Sequence, residues 1–428
     1  MSATQHNSVI QRITRLTLAG GIGLALVLAA PIASFGKDKK DKVKPNEDAP
    51  AAQRNILAGL DLSKIVWPNP PAITRIKYLN YWSGEKFVPP AQAKKKASWM
   101  ERVSGIATGE TPGSNKPRWQ LVVPNGVAVD SNNRIYIADS KVRAIFIVDA
   151  ETGNYEMIKN GSDARFQWLI GLAIDDADRL FASDSGMKRV MVFDAQHKLE
   201  GTISEGMKDP GGLAIDNENR FLYVADAELD QVLVYDADPP YKLLRKIGTE
   251  NTQHKSTQPG DFAKPTNVAV DQDGNLFVSD TWNNRIEVFD ADGTFIRAFG
   301  KAGDGPGYFA RPKGIAIDSD GHVWVADSVQ DRVQVFTPEG HLLIYMGAHG
   351  LYPGQFQSVI GLAIDKNNRV ITTEQFAGRA QIFRYFTNAE ALAEKDKRDA
   401  EAKKKADERR NKTAAKSEPD ASKSAAAQ

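Results

Sequence analysis

Pro265-Thr266-Asn267-Val268-Ala269-Val270-Asp271 decides how this chain is read, because the stretch recurs. It returns with variation as Gly126-Val127-Ala128-Val129-Asp130, Gly171-Leu172-Ala173-Ile174-Asp175, Gly212-Leu213-Ala214-Ile215-Asp216, Gly314-Ile315-Ala316-Ile317-Asp318 and Gly361-Leu362-Ala363-Ile364-Asp365. The six aspartates stand 45, 41, 55, 47 and 47 residues apart, the length of one four-stranded blade in a radial array. Working outward, each copy is followed by a polar turn such as Gln272-Asp273-Gly274-Asn275, then by a second apolar run ending in an acid. A third run follows, as in Arg285-Ile286-Glu287-Val288-Phe289-Asp290, and in most units a fourth, as in Thr294-Phe295-Ile296-Arg297-Ala298-Phe299-Gly300. Short runs of Val, Ile, Phe and Tyr between Gly, Asn and Asp turns, without helical periodicity, predict an all-β chain. The expected architecture is a six-bladed β-propeller. The last copy has no fourth strand, because the chain turns polar after Tyr385-Phe386. The strand available to complete it is residues 73–79, from Ile73 to Leu79, which would close the ring and remove a long open sheet edge.

The six copies resemble the NHL repeat family of β-propellers over residues 118–386. Three connections carry that family's Pro-Gly-x-Phe element: Pro259-Gly260-Asp261-Phe262, Pro306-Gly307-Tyr308-Phe309 and Pro353-Gly354-Gln355-Phe356. Each Phe is expected to plug the space between neighbouring blades. The run from Gly260 to Asp271, with Leu276-Phe277-Val278-Ser279-Asp280, also resembles the peptidyl-hydroxyglycine amidating lyase, an NHL-type propeller with zinc in its channel. That resemblance implies histidines just after a Pro at the start of innermost strands. Here those positions hold Asn125, after Pro124, and Lys313, after Pro312, so the lyase activity is not expected to carry over.

The flanks differ from the repeats. Arg12 and Arg15 precede an uncharged run from Leu16 to Gly36, closed by Lys37-Asp38-Lys39-Lys40. A basic start, an apolar middle and small residues at Ala33, Ser34 and Gly36 make residues 1–36 a signal peptide or membrane anchor. The expected location is periplasmic or otherwise extracytoplasmic, with membrane contact if this segment stays uncut. Residues 37–70 read as a linker, residues 71–386 as the propeller, and residues 387–428 as a charged tail. That tail is helical from about Ala391, with pairs such as Glu394–Arg398 and Asp399–Lys403, and disordered after Asn411. The chain has no cysteine, which excludes disulfides and thiolate chemistry. Residues 118–386 carry a net charge of −10 and the remainder +11. An acidic body argues against a nucleic-acid partner.

Three sets of residues are candidates for chemistry. The acids that end the second runs, Asp139, Asp184, Asp226, Asp280, Asp327 and Glu374, recur once per blade and read as a structural ladder that caps turn amides. Arg189, Arg285, Arg332 and Arg379 lie five residues on and are expected to share in this. His197, His254, His322, His341 and His349 lie in turns and loops and do not converge by repeat register, so no cofactor is expected. Zinc or calcium in the channel remains the alternative, with Asn125, Asn267 and Glu374 as possible calcium ligands. Loop residues Trp168, Arg165, Trp282, Arg311, Lys313 and Phe376 form a candidate ligand-binding face on a rigid ring. The resulting expectation is a non-catalytic binding scaffold for a protein, peptide or glycan partner. The alternative is a lyase- or lactonase-like channel enzyme.

Overall fold

The computed structural model describes residues 60–84, 119–161, 164–251 and 253–417. The repeats build six antiparallel sheets in sequence order. Blade one comprises Pro124–Val129, Ile135–Asp139, Ala144–Val148 and Tyr155–Lys159, counted from the innermost strand outward. The innermost strands of blades two to six are Leu169–Ile174, Pro210–Asp216, Pro265–Val270, Pro312–Ile317 and Val359–Ile364. Each meets its neighbour in ring order, and that of blade six meets that of blade one. The chain is a closed six-bladed β-propeller.

Its apolar core is divided among the seams between blades, because each sheet buries both of its faces. One cluster fills each seam: Trp324 with Val359 and Phe383 between blades five and six, for example, and Trp82 with Val127, Phe146 and Ile371 between blades six and one. Phe262, Phe309 and Phe356 of the Pro-Gly-x-Phe elements are wholly buried in the three seams that join blades three to six. Aromatic plugs at these places supply large apolar area where neighbouring sheets splay.

Blade six takes its outer strand from the N-terminal side. Ile76–Trp82 pairs antiparallel with Arg379–Tyr385, Ile76 opposite Tyr385 and Trp82 opposite Ala380. The strand lies three residues later than the 73–79 read from sequence. Burial sets the register: Ile76, Tyr78, Asn80 and Trp82 alternate inward while Lys77, Leu79 and Tyr81 are half-exposed, and a one-residue slip would invert that set. Residues 60–70, expected as linker, hold a 3-10 turn at Leu62–Lys64 and a short fifth strand, Val66–Trp67, paired to Ile76 and Lys77. Trp67 explains this, since its ring meets Phe383 edge-on at 5.8 Å. Trp67→Ala is expected to lower stability by about 2 kcal/mol, the cost of a partly buried aromatic contact. The urea midpoint reads it, and an unchanged midpoint would show the extra strand to be incidental.

The tail begins as a helix, Asn388–Ser417. Thr387 caps it reciprocally: its Oγ1 accepts the Glu390 N–H at 3.4 Å and Glu390 Oε2 accepts the Thr387 N–H at 2.9 Å. This is a capping box. The helix runs past Asn411, where disorder was expected, because Ala414 and Ala415 favour helix over coil. Charge pairs on the helix include Lys395–Asp399 at 2.7 Å and Arg398–Asp399 at 3.9 Å. No helix among the described residues is long and apolar enough to cross a membrane. The 1–36 segment and residues 37–59 lie outside the described residues.

Candidate functional site

The two edges of the ring are tied by two sets of acids. On one edge the repeat aspartates close the first hairpin of each blade. Asp130 Oδ1 accepts the N–H of Asn132 and of Arg134, and its Oδ2 pairs with Arg134 Nε at 2.6 Å. Arg179, Arg369, Asn219 and Asn275 repeat that side-chain contact on Asp175, Asp365, Asp216 and Asp271. In blade five His322 and Trp324 take its place on Asp318. Asp318 holds the His322 pKa above its ordinary value.

On the opposite edge, the top face here, the ladder acids bind the loop that enters their own blade to the turn that leaves its second strand. Asp139 accepts the N–H groups of Val122, Val123, Lys141 and Val142. Asp327 does the same for Ala310, Arg311, Val329 and Gln330. All six acids are fully buried. The arginines five residues on behave unequally. Arg285 and Arg379 pair with Asp280 and Glu374, each at 2.8 Å. Arg189 and Arg332 instead donate to the carbonyls of Arg165 and Asp304, because three or four backbone N–H groups already fill Asp184 and Asp327.

Inside this edge lies an axial cavity of about 310 Å³ to which every blade contributes. The innermost strands dictate its lining. Their third residue is Gly126, Gly171, Gly212, Asn267, Gly314 or Gly361. At the glycines an added Cβ would strike the next blade, as at Gly314, where it would stand 2.7 Å from the Ile360 carbonyl oxygen. The second residue lines the cavity: Asn125, Ile170, Gly211, Thr266, Lys313 and Ile360. Trp168, Ser185, Asp209 and Gln375 line it from the top-face loops.

The structure thus brings two of the six candidate face residues, Trp168 and Lys313, into the cavity. Trp282 and Arg311 stand together on the face, the guanidinium 5.6 Å from the ring centre. Phe376 is 82% exposed, while Trp282 and Trp168 are half-exposed. Arg165 is exposed on the loop whose carbonyl receives Arg189. Burial lowers the pKa of Lys313, helped by the nearby Arg311 charge. Burial raises that of Asp209, helped by the Asp226 carboxylate. Asp209, Thr266 and Gln375 were not singled out from sequence. The available signal was variation: the second position of the repeat changes freely while its neighbours hold, as expected for a position facing a lumen.

The candidate calcium set is not brought together. Asn125 and Asn267 line the cavity, but Glu374 is turned into blade six against Arg379 and Gln381. Asn125 is itself occupied at the ring closure. Its Nδ2 donates to the Leu169 carbonyl at 3.0 Å and its Oδ1 accepts Gln375 Nε2 at 2.8 Å. Among the described residues no three His, Asp or Glu side chains are grouped to hold a metal ion.

Residues 121–147 match the model of the NHL repeat, and residues 261–324 match that of a 6-bladed β-propeller family. No curated protein matches the chain. Among solved structures, a protein of unknown function from Bacteroides thetaiotaomicron is similar at 15% identity and a TM-score of 0.50, over 62% of this chain and 70% of its own. A gluconolactonase from Xanthomonas campestris follows at 18% identity and TM-score 0.49, over 62% and 87%. The virginiamycin B lyase of Staphylococcus aureus gives 13% and 0.46, over 62% and 96%. At these identities the likeness speaks to the fold alone. The fold is that of a six-bladed β-propeller, and the first of its blades matches the NHL repeat.

Proposed function

We propose that the protein is an extracytoplasmic binding platform, exported or tethered through residues 1–36, that holds a peptide or protein partner on its top face. The observation that carries this reading is the composition of that face. A cavity lined from all six blades opens beside Trp168, Trp282 and Phe376, which are 52%, 50% and 82% exposed. Large apolar side chains left in water around a concavity mark interaction sites. A peptide suits the face better than a neutral glycan, because the cavity presents a cation and an anion that a glycan would leave unmatched.

Capture from envelope extracts should fall at least about tenfold between wild type and the Trp282→Ser/Phe376→Ser double variant, as expected when anchoring aromatics are removed. Equal capture by both, or none by either, would refute the platform. A second reading, a channel enzyme of lyase or lactone-hydrolase type, draws support from Asp209 and Lys313, both pushed toward their neutral forms. Turnover of a lactone panel that is lost in Asp209→Asn would establish it instead.

A further inference from the structure

We infer that the axial cavity takes a small zwitterion, an amino acid or dipeptide with its carboxylate on Lys313 and its free amine on Asp209. This rests on the binding reading above and names the ligand class. The cavity is lined by one cation and one anion, and Asp209 is hydrogen-bonded to Ser185, another lining residue. Lys313 projects from blade five as the second residue of its innermost strand. Asp209 immediately precedes the innermost strand of blade three. Blade four separates them, contributing the neutral Thr266 and Asn267.

Both charges are half-withdrawn from water, a cost that an arriving opposite charge offsets. A ligand with one charge satisfies one end and leaves the other exposed to the same cost. Only a ligand with both charges matches the cavity, whose own lining charge sums to zero. The lumen is also open where the amine would sit. Blade three places Gly211 at the second position, where the other blades carry Asn125, Ile170, Thr266, Lys313 and Ile360. The volume, about 310 Å³, lies at the lower end of the range for small-molecule pockets, roughly 300–1,000 Å³. The apolar part of the lining includes Ile170, Ile360 and Trp168, which suits an apolar side chain between the charged ends.

The test is calorimetric titration of the purified protein with the dipeptide Ala-Phe, its N-acetyl form and its C-terminal amide. Each blocked form should bind at least about tenfold more weakly than Ala-Phe, one charge-assisted contact apiece. Lys313→Met should abolish discrimination against the amide alone. Asp209→Asn should abolish discrimination against the acetylated form alone. Both variants should melt within a few degrees of wild type. Undetectable binding of Ala-Phe, or equal binding of all three forms, overturns the ligand class. Partner capture that still depends on Trp282 and Phe376 would then leave the platform standing, so the two failures are separable.

Discussion

Gly361→Ala is expected to destabilise the ring by about 3 kcal/mol or more. Gly361 sits on the innermost strand of blade six where the circle closes on blade one. A Cβ there would collide with the Asn125 carbonyl oxygen and the Thr373 hydroxyl, which are already hydrogen-bonded to each other. Overpacking a rigid interior commonly costs 1–3 kcal/mol. Here the obstacle includes backbone on the opposing blade, which yields only if two sheets move apart. That motion would also strain the Asn125–Gln375 bond and the seam around Trp82 and Ile371. Urea unfolding of the variant measures it, with Thr266→Ala as the comparison. Thr266 faces the lumen from the neighbouring repeat position and loses one hydroxyl contact, to Thr281 at 2.7 Å, so its cost should stay near 1 kcal/mol. A loss at Gly361 no larger than that at Thr266 would show that the blades are not in rigid contact.

Glu287→Gln is expected to remove a pH dependence of stability centred between pH 4.5 and 7. In blades five and six, Gln334 and Gln381 pin the Pro-Gly-x-Phe loop with both ends of the amide. Oε1 accepts the N–H of Gly307 or Gly354, at 2.8 and 2.9 Å, and Nε2 donates to the carbonyl of Tyr308 or Gln355, at 2.8 and 2.7 Å. Blade four has Glu287 at this position, with the weaker Gly260 bond at 3.4 Å and a buried Oε2 that has no partner. Burial pushes its pKa up to about 7, against the pull of Arg285 at 2.9 Å and with the help of Asp280 and Asp261. The folded chain therefore holds this proton above the pH at which the unfolded chain releases it. The stabilisation is complete below about pH 4.5 and is lost as pH rises through about 7. A shift from 4.5 to about 7 corresponds to about 3 kcal/mol at 1.36 kcal/mol per unit. Glutamine carries the missing donor permanently. The variant should match wild type near pH 4.5 and exceed it at pH 8, in melts recorded side by side. A constant difference across that range would dispose of the idea.

The hydrophobic repeat made the propeller legible from residues alone. Blade number, strand order within a blade and the burial of Phe262, Phe309 and Phe356 follow from a period that is written six times. The closing strand was legible too, but its register was not. Ile73-Thr74 and Ile76-Lys77 both read as strand, and only packing against Phe383 and Tyr385 selects residues 76–82. The same contact drew Trp67 out of the expected linker. Which of the ladder acids takes an arginine depends on how many N–H groups each loop supplies, a matter of loop path.

The site divides along the same line. The repeat and the family resemblance placed innermost-strand starts at Pro124, Pro265 and Pro312, and Trp282 and Phe376 were read as loop residues. They left open which side chains share a lumen. Asn125, Lys313 and Asp209 are far apart in the chain, and only the closed circle sets them around one volume. Closure is a sum over six blades, in which each interface tilts the next sheet by a fixed amount, so no single stretch of residues encodes it. The fold was therefore in the repeat, and the cavity that gathers Lys313 and Asp209 was in the ring.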